Sequence, residues 1–285
     1  MEESKKPSVF AIVLNYNGLD TLIKSLSSVY QSDYTNLQIV VVDNDSKDGS
    51  FEEAKNKFSK AHYIKNSHNF GFAKGINVGI RFALEKFADY VFILNNDAWI
   101  EKDTISKLIK SSSENPNAGI LSPIILTSDN KKIWFSGGKI DWLRMKTLHL
   151  HNLKTRAPYE SEYLCGCSML IKKEVFKKIG LFDERYFLYY EDADFSLKTN
   201  NAGFKLLMVP STHISHSEQS NSKNPEKIYH LVLSALIFFK NNSSIHIKIY
   251  LFFYLWLRKL KNLFSNDKYS KDVRRAYQDF KKVSL

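Results

Sequence analysis

The stretch from Tyr90 to Asp97 joins an apolar run to two amides and a carboxylate. The consecutive apolar and aromatic residues from Tyr90 to Leu94 favour a strand that is buried on both faces. Asp97 then lies at the carboxyl edge of the sheet, where open α/β folds bind their ligands. A carboxylate at that edge can hold a hard divalent cation of the kind that accompanies a nucleotide diphosphate. The alternative is that Asp97 only closes a turn or caps the next helix.

Polar side chains also follow the other apolar runs in the first half of the chain. Amide and carboxylate groups of this kind can bind a nucleobase edge or the hydroxyls of a ribose. Glycines at positions 71 and 75 would let the backbone approach such a ligand closely. The sequence therefore predicts a nucleotide site that comprises Asn15, Asn17, Asp43, Asn44, Asn69, Gly71 and Asp97. The chain contains no GxGxxG and no GxxxxGKS/T pattern, which argues against a dinucleotide-binding fold or a P-loop NTPase.

A second acidic group lies far along the chain, in the sequence Glu191-Asp192-Ala193-Asp194. It follows an aromatic segment and opens a predicted helix that continues through Leu197. Acidic side chains interact favourably with the N-terminus of a helix, so capping is one interpretation. A catalytic role is the other interpretation, and the spacing alone does not decide between them.

These residues require a sheet that brings the ends of several strands together. Apolar runs alternate with helical patterns in the first hundred residues, with roughly 20–30 residues between strands, which predicts βα units and a parallel sheet. The predicted strands are Val9–Leu14, Gln38–Val42, Tyr63–Asn66, Tyr90–Leu94, Gly119–Leu126, Tyr163–Ile171 and Phe204–Val209. The expected fold class is therefore α/β, with a Rossmann-like, mostly parallel central sheet flanked by helices.

Two stretches fit this alternation less well. Residues 128–160 have a weak pattern with two adjacent glycines, which suggests a long loop or a small hairpin over the sheet edge. Long loops in compact domains are often functional. The residues from Pro210 to His216 are predicted to leave the last strand as an extended segment.

The bulk composition is that of a globular protein, with 44% hydrophobic and 25% charged residues in a chain of 285. The two cysteines, Cys165 and Cys167, are separated by one glycine, so a disulfide between them would be strained. A zinc site would need further ligands at suitable spacing. We therefore expect reduced thiols in a reducing compartment.

The net charge of +11 is concentrated near the end of the chain. Residues 240–285 contain 11 Lys or Arg and 3 Asp or Glu, a surplus of 11 − 3 = +8.

Helices rich in large apolar residues are predicted at Ile228–Phe239 and Ile245–Phe264. Aromatic residues beside Lys and Arg are typical of a helix that lies in a membrane interface. Packing on the main domain or a homodimer contact are the alternatives. The predicted domains are residues 1–220 and a C-terminal helical extension, residues 221–285.

The N-terminal sequence lacks the apolar segment of a signal peptide. No apolar run reaches the roughly 18 residues that suggest a membrane-spanning helix. We therefore expect a cytoplasmic protein, bound peripherally to the inner face of the cell membrane. No nucleic-acid partner is expected, because the basic residues lie among interfacial aromatic residues rather than on a groove-binding motif.

The ordered segments resemble the family 2 glycosyltransferases with the GT-A fold, in particular the bacterial rhamnosyltransferase-like branch. The matching segments span about residues 8–216 and read IVLNYNG, VVDNDSKDGS, NFGFAKGINVGI, FILNNDAWI, LCGCSMLIKKEVFKKIGLFDERYFLYYEDADFSLK and LLMVPSTHISH. Each segment alone is a weak signal, but the ordered set is specific. The resemblance implies transfer of a sugar from a nucleotide diphosphate donor, with Mg²⁺ or Mn²⁺ and with inversion at the anomeric carbon.

The resemblance also implies residue roles on the donor side. It places the nucleotide beside Asn15, Asn17, Asp43, Asn44, Asn77 and Asn96. Asn95-Asn96-Asp97 stands where the family has its DxD motif, with Asp97 as the metal-binding aspartate and Asn95 in place of the first one. His216 matches the histidine that follows the VP strand and would complete the metal site. His213 is the competing candidate.

On the acceptor side, Asp192 matches the base of the family, which accepts the proton of the attacking hydroxyl. Glu191 and Asp194 would be supporting groups. Four further residues fall where the donor sugar and the acceptor should meet, namely Trp134, Gly137, Gly138 and Gly166.

The identity of the substrates stays open. The branch favours dTDP-rhamnose as the donor, with a UDP-hexose next. The basic tail favours a glycan or lipid-linked glycan acceptor in cell-surface polysaccharide synthesis. A sugar-phosphate nucleotidyltransferase would carry a glycine-rich basic loop after the first strand, where this chain has Asn15-Tyr16-Asn17-Gly18. A degenerate transferase that only binds glycans or membranes is the other alternative, and the presence of Asp97 and Asp192 argues against it.

Overall fold

The computed structural model describes residues 6–217, 225–263 and 269–283. The strands are β1 Val9–Asn15, β2 Leu37–Asp43, β3 His62–Lys65, β4 Tyr90–Asn95, β5 Ala98–Ile100, β6 Ala118–Thr127, β7 Ile133–Phe135, β8 Gly138–Asp141, β9 Lys146–His149, β10 Tyr159–Glu160, β11 Ser168–Lys172 and β12 Lys205–His216. The helices are α1 Leu22–Tyr30, α2 Ser50–Lys57, α3 Gly71–Glu85, α4 Thr104–Glu114, α5 Lys173–Ile179, α6 Glu191–Asn201, α7 Pro225–Asn242, α8 Ile245–Leu263 and α9 Ser270–Val283.

One large sheet organises these elements in the order β10-β12-β6-β11-β4-β1-β2-β3, with β5 paired to β12 and β7 to β6. Strands β3, β2, β1 and β4 are parallel, so their carboxyl ends meet at one edge. Strand β11 runs antiparallel between β4 and β6, and β6 is parallel to β12. The predicted α/β fold with a mostly parallel central sheet is confirmed.

The parallel half of the sheet is covered on both faces, as its apolar strands require. Every side chain from Val9 to Val13 in β1 is fully buried. Helix α3 packs closely on β1 and β2, because a Cβ atom at Gly79 would lie 2.5 Å from the Ile12 side chain. This close packing fixes where the loop before α3 meets the strand ends.

Two predicted strands differ from the structure. The strand predicted at residues 163–171 is only β11, Ser168–Lys172, and residues 163–167 instead approach it as irregular backbone. The extended exit predicted after Val209 is part of one long strand, β12, which continues to His216 through a register shift beside β6. The stretch 128–160 contains the predicted small hairpin, β8–β9, together with β7 and β10.

The first C-terminal helix, α7, packs on the rest of the chain. Ser234 Oγ donates to the carbonyl of Leu188 at 2.8 Å, and Asn242 Nδ2 donates to Asp194 Oδ1 at 2.9 Å. Phe238 of the same helix stacks on Trp142, at a ring distance of 5.9 Å.

The predicted domain boundary at residues 220 and 221 lies outside the described residues, but α7 packs against the body that precedes it. Helix α9, which the sequence reading did not predict, packs on α7 through a 3.0 Å hydrogen bond from Tyr229 to Asp279.

Helix α8 presents a row of large apolar side chains to solvent. The exposed members follow helical spacing along one face and are Ile245, Ile249, Phe252, Phe253, Trp256 and Leu257. We call this row the α8 apolar face. None of the helices in the described part of the chain is long and apolar enough to cross a membrane.

Candidate active site

Two connected cavities lie at the carboxyl edge of the parallel strands. The strand-end cavity has a volume of about 390 Å³ and is lined by the ends of β1, β2 and β4 and the loop before α3. The carboxylate cavity has a volume of about 420 Å³ and is lined by Glu191 and Asp192 at the start of α6. The residues that line both cavities are Phe72, Asn95, Asp97, Leu188 and Lys227. Asp97 therefore lies at the junction between them.

Strand pairing brings Asp97 and His216 together. Strand β4 ends at Asn95, and the chain turns through Asp97 into β5, which pairs antiparallel with the end of β12. In that register Ala98 lies opposite His216, and the backbone N–H of Ser217 donates to the Asp97 carbonyl at 2.8 Å. As a result, Oδ1 of Asp97 lies 3.2 Å from Nε2 of His216.

The Asp97 and His216 side chains each have a buried polar atom that no described residue satisfies. Oδ1 of Asp97 and Nδ1 of His216 are buried and have no hydrogen-bond partner among the described residues. The 3.2 Å contact between Oδ1 and Nε2 does not satisfy hydrogen-bond geometry, since Oδ1 remains without a donor. No cluster of three or more His, Cys, Asp or Glu in the described ranges could hold a metal. Asp97 and His216 could hold a metal ion only if that ion took its remaining ligands from phosphates and water.

A hydrogen-bond network closes the floor of the strand-end cavity between β1 and β2. Asn15 Nδ2 donates to Asp43 Oδ1 at 2.8 Å and to Ser50 Oγ at 2.8 Å, while Asn15 Oδ1 accepts from Asn96 Nδ2 at 2.9 Å. The other carboxylate oxygen of Asp43 accepts the Ser46 backbone N–H at 2.9 Å. Asn15 and Asp43 are fully buried, so they hold the strand ends in place beneath the cavity surface.

A second network shapes the loop before α3, which forms the opposite wall. Asn44 Nδ2 donates to the Gly71 carbonyl at 2.9 Å, and the Gly71 N–H donates to Asn69 Oδ1 at 2.9 Å. Gly71 has a φ of +75°, and a Cβ atom there would lie 2.3 Å from the Phe187 carbonyl oxygen. Only glycine fits this position, because the Phe72 N–H must also reach that same carbonyl, at 2.7 Å.

The Asp192 carboxylate is held by the backbone at the wall of the carboxylate cavity. Its Oδ2 accepts the Gly166 N–H at 3.0 Å, and its Oδ1 accepts the Ala193 N–H at 2.7 Å. Its neighbour Glu191 is buried, and Oε2 of Glu191 has no hydrogen-bond partner in the described part of the chain. The two carboxyl groups are thus adjacent. The Asp192 carboxylate is held by backbone N–H groups, whereas the Glu191 carboxyl is buried beside it.

Burial sets the protonation of these two groups. Burial raises the pKa of the Glu191 carboxyl well above its usual value, and the nearby Asp192 charge raises it further. Burial also raises the pKa of Asp192, against the two backbone N–H donors, which lower it. A carboxylate with a raised pKa is a stronger base than an ordinary aspartate, so Asp192 is suited to accept a proton.

The backbone before these carboxylates is strained. Tyr189 and Tyr190 both have left-handed φ values, +70° and +66°, which non-glycine residues adopt only when the surroundings impose them. The rings of Phe238 and Phe239 pack on the Tyr190 ring at 5.4 and 6.0 Å. Helix α7 therefore helps to hold the turn that presents Asp192 to the cavity.

Comparison with known proteins agrees with this arrangement. The family model described as Glycosyl transferase family 2 matches residues 10–180, which is 171 of the 285 residues. The chain belongs to this family. Its enzyme class, a glycosyltransferase, follows from that membership.

Relatives of this glycosyltransferase in sequence include two rhamnosyltransferases. The dTDP-rhamnosyl transferase RfbF of Shigella flexneri is 27% identical over 250 residues, which are 82% of this chain and 81% of the relative. The N-acetylglucosaminyl-diphospho-decaprenol L-rhamnosyltransferase of Mycobacterium tuberculosis is 25% identical over 239 residues, 75% of this chain and 78% of the relative.

A solved structure supports the fold assignment of the glycosyltransferase. GalNAc-T7, crystallised with UDP, GalNAc and Mn²⁺, superposes with a TM-score of 0.67 at 18% identity. The match covers 82% of this chain, which spans about half, 48%, of that chain. The likeness shows a shared GT-A fold, as the sequence predicted.

The structure brings many of the predicted residues of the glycosyltransferase to its two cavities. Those that line a cavity are Asn44, Asn69, Gly71, Asn96, Asp97, Trp134, Gly166, Glu191, Asp192 and His216. His213, the alternative to His216, lies outside both cavities, with its Nε2 3.6 Å from Glu101. Of the two histidines, His216 is the one that contacts Asp97.

Other predicted site residues have structural contacts instead. Asn77 is fully buried in α3, where its amide bonds to both the N–H and the carbonyl of Phe182, so it does not reach the nucleotide side. Asp194 forms a 2.6 Å ion pair with Lys198 and accepts a hydrogen bond from Asn242, so it fastens α7 to α6.

Three more predicted site residues also lie outside the linings of the two cavities. Asn17 lies at the surface, where its side chain accepts the Lys47 N–H at 2.9 Å, outside the lining of either cavity. Gly137 and Gly138 lie one layer behind the carboxylate cavity, because a Cβ at Gly138 would lie 2.1 Å from the Tyr163 ring. Tyr163 itself lines the cavity.

Several lining residues were not predicted from the sequence, and Tyr16 and Lys227 are the two that matter for the chemistry. Tyr16, half exposed, stands at the rim of the strand-end cavity and follows Asn15 in the first matched motif. Lys227 of α7 lines both cavities, and it is the only lysine or arginine among the described residues that line them. The type of Tyr16 could have suggested base stacking, whereas no motif surrounds Lys227.

Proposed function

We propose that this glycosyltransferase moves a sugar from a nucleotide diphosphate donor to a hydroxyl of a glycan or lipid-linked glycan, with inversion and with a divalent metal ion. The observation that carries the proposal is the position of Asp97 at the junction of the two cavities. A donor that spans the junction has its nucleotide among the strand ends, its diphosphate beside Asp97 and its sugar toward Asp192.

The donor side is supported by the lining of the strand-end cavity. The Tyr16 ring offers a flat apolar surface for a base, and Asn69 and Asn96 supply amide groups nearby. Asn15, Asp43 and Asn44 act mainly by fixing the strand ends that carry these groups. This supporting role explains why Asn15, Asp43 and Asn44, which were predicted to bind the nucleotide, are buried.

Mg²⁺ or Mn²⁺ would be held by Asp97 and His216, with the donor phosphates among its other ligands. Such an ion offsets the negative charge that develops on the departing diphosphate. The buried, unpartnered Oδ1 of Asp97 supports this assignment. The presence of Mn²⁺ with UDP in the GalNAc-T7 crystals supports it by analogy of fold.

Lys227 adds a fixed positive charge at the same place. Because the diphosphate carries more charge as the bond to the sugar breaks, a lysine at the junction stabilises the departing group. Lys227 is partly buried and lies on α7, which the contacts to Leu188 and Asp194 hold in place. We assign Lys227 to the diphosphate.

Asp192 performs the proton transfer. The acceptor oxygen attacks the anomeric carbon, the bond from that carbon to the diphosphate oxygen breaks, and the hydroxyl proton passes to Asp192. The backbone donors from Gly166 and Ala193 aim the carboxylate at the cavity. Glu191 stays buried beside it, and burial raises the pKa of both carboxyl groups.

Two relatives guide the choice of substrates. RfbF is named as a dTDP-rhamnosyl transferase, and the mycobacterial relative acts on a diphospho-decaprenol carrier by its name. We therefore put dTDP-rhamnose first as the donor, a UDP-hexose second, and a lipid-linked glycan first as the acceptor. The product would be an intermediate in cell-surface polysaccharide synthesis.

The α8 apolar face supports attachment to the inner surface of the cell membrane. Its exposed aromatic residues lie on a basic segment, a combination that binds anionic lipid surfaces. A homodimer contact through the same face is the competing explanation.

A panel of nucleotide sugars tests the function. The full-length protein is incubated with dTDP-rhamnose, UDP-glucose, UDP-galactose, UDP-N-acetylglucosamine and GDP-mannose, each with Mg²⁺, Mn²⁺ or EDTA. Release of the nucleoside diphosphate from one donor, with loss in EDTA, is the expected result. Release from none, together with no binding of dTDP or UDP, would refute the proposed activity.

A further inference from the structure

A third cavity lies between the β8–β9 hairpin and the C-terminal helices. It has a volume of about 230 Å³ and is lined by residues of the hairpin and of α7, α8 and α9. We call it the C-terminal cavity. It shares Thr147, Tyr190 and Leu231 with the carboxylate cavity, so the two are adjacent and have a common wall.

The lining of the C-terminal cavity is apolar with positive charge. Helix α7 contributes Val232, Ala235 and Leu236, while the charged lining residues in the described part of the chain are Lys146 and Arg258. Both are cations, and no aspartate or glutamate among the described residues lines this cavity. An apolar chamber with cations and no acid is complementary to a molecule that joins an apolar chain to a phosphate.

The cavity also lies between the site of chemistry and the α8 apolar face. Arg258 follows directly after Trp256 and Leu257, which are 57% and 59% exposed on that face. At the other end, Tyr190 immediately precedes the carboxylates Glu191 and Asp192. A molecule that enters from a membrane surface would thus meet cations and apolar walls before its far end reaches the carboxylate cavity.

We propose that the C-terminal cavity binds the phosphate-bearing lipid end of the acceptor, while the acceptor hydroxyl lies beside Asp192. The proposal rests on the proposed function, since it needs an acceptor that is lipid-linked. Arg258 and Lys146 bind the phosphate, and the α7 side chains cover the first part of the apolar chain. The cavity therefore determines which acceptors reach the base, separately from the donor.

Farnesyl diphosphate serves as the probe, because it carries both a diphosphate and an apolar chain. Its affinity for the full-length protein is measured by titration calorimetry, beside inorganic pyrophosphate and farnesol. We expect saturable binding of farnesyl diphosphate that is at least tenfold tighter than binding of either part. Absence of saturable binding to the unmodified protein would overturn the proposal.

Two variants locate the probe. Ala235→Phe fills the cavity from α7, and Arg258→Met removes a cation while retaining the apolar stem. Each should weaken farnesyl diphosphate binding at least tenfold, and Arg258→Lys should restore most of it. Arg156→Met, at an exposed arginine that lines none of the three cavities, is the matched control and should bind like the unmodified protein. Unchanged affinity in Ala235→Phe or in Arg258→Met contradicts the assignment.

The affinity for dTDP and UDP is measured in every variant and should not change, which shows that the fold and the donor side are intact. This readout separates the two proposals. If farnesyl diphosphate binds as expected while no nucleotide sugar is hydrolysed and neither dTDP nor UDP binds, the proposed function fails and the binding site remains. If the donor is hydrolysed while farnesyl diphosphate binding is equal in all variants, only the C-terminal cavity assignment fails.

Discussion

The Asp97 carboxylate and the His216 imidazole, 119 positions apart in the chain, lie 3.2 Å apart at the junction of two cavities. The short β5–β12 pairing imposes this contact, since it sets Ala98 opposite His216. Neither side chain gains a hydrogen bond from the approach within the described residues, which leaves Oδ1 of Asp97 available. An arrangement that brings two ligands together without satisfying either one is suited to an ion that arrives with the substrate.

Asp97→Ala should abolish metal-dependent nucleotide binding. We expect the affinity for the nucleoside diphosphate in Mn²⁺ to fall by roughly tenfold or more, about 1.4 kcal/mol, and to become insensitive to EDTA. Titration calorimetry with and without EDTA checks this. Asp103→Ala, which removes a surface carboxylate that pairs with Lys107, is the control. An Asp97→Ala protein that still responds to EDTA like the unmodified one would disprove the assignment.

Asp192→Asn should stop transfer while leaving donor binding intact. General base catalysis contributes about 10²–10⁴-fold, so kcat should fall within that range. In the unmodified enzyme, activity should be lost as the pH falls through the pKa of Asp192. Because burial raises that pKa, the loss should occur above the pH of about 4 at which an ordinary aspartate titrates. The apparent pKa of that profile belongs to the Glu191–Asp192 pair. Near-normal turnover in Asp192→Asn would exclude Asp192 as the base.

Glu191→Gln should stabilise the protein at neutral and alkaline pH. Because the folded-state pKa of Glu191 lies above its unfolded value, its contribution to stability is full below the unfolded pKa and is lost as the pH rises through the folded one. Glutamine keeps the shape without the charge. Thermal unfolding at pH 5 and pH 8 should show a higher Tm for Glu191→Gln at pH 8, by about 2–4 °C for each kcal/mol recovered. A lower Tm at pH 8 would contradict the burial of a charged group here.

Lys227→Met should weaken the binding of nucleoside diphosphates more than the binding of nucleoside monophosphates. The loss of a charge-assisted contact is expected to reduce affinity for the nucleoside diphosphate by roughly 10–100-fold, while affinity for the monophosphate changes little. Lys227→Arg should retain most of the affinity. Lys139→Met, an exposed lysine on β8, is the matched control. Equal losses for diphosphate and monophosphate would show that Lys227 supports the fold instead.

The α8 apolar face can be tested without removing a helix. Deleting residues 225–285 would also remove α7, which holds Tyr190 and lines both cavities, so point variants are required. Phe252→Glu with Trp256→Glu should abolish flotation with vesicles that contain anionic lipid. The oligomeric state of both proteins is measured by light scattering. Full flotation of the double variant refutes the membrane assignment, and a dimer that becomes a monomer supports the competing explanation.

The sequence predicted what depends on short-range pattern. The apolar run before Asp97 and the runs before Asn15 and Asp43 are continuous, so the parallel strands and the edge where they end could be read directly. His216 needed the family resemblance, because its position against Asp97 depends on a strand pairing between distant segments. The roles proposed for Asp97, His216 and Asp192 stay predictions until they are measured.

Long-range contacts explain why two predicted site residues do not line either cavity. Asn77 and Asp194 match motif positions, but their partners, Phe182 and Asn242, lie 105 and 48 positions away, and nothing local indicates those bonds. Lys227 escaped notice for the same reason. A motif identifies a residue type at a position, whereas only the packed chain decides whether that residue faces a cavity or fastens two helices.

Helix α7 lines both cavities, so neither side of the site is complete in a chain that stops before Asn242. The strand ends of the donor side lie within the first 97 residues, but Lys227 of α7 lines that side as well. Domains generally fold as units during synthesis. A partly made chain would thus lack the α7 wall of the donor side and also the packing of Phe238 and Phe239 on Tyr190. This dependence on α7 would keep an unfinished enzyme from hydrolysing its activated sugar.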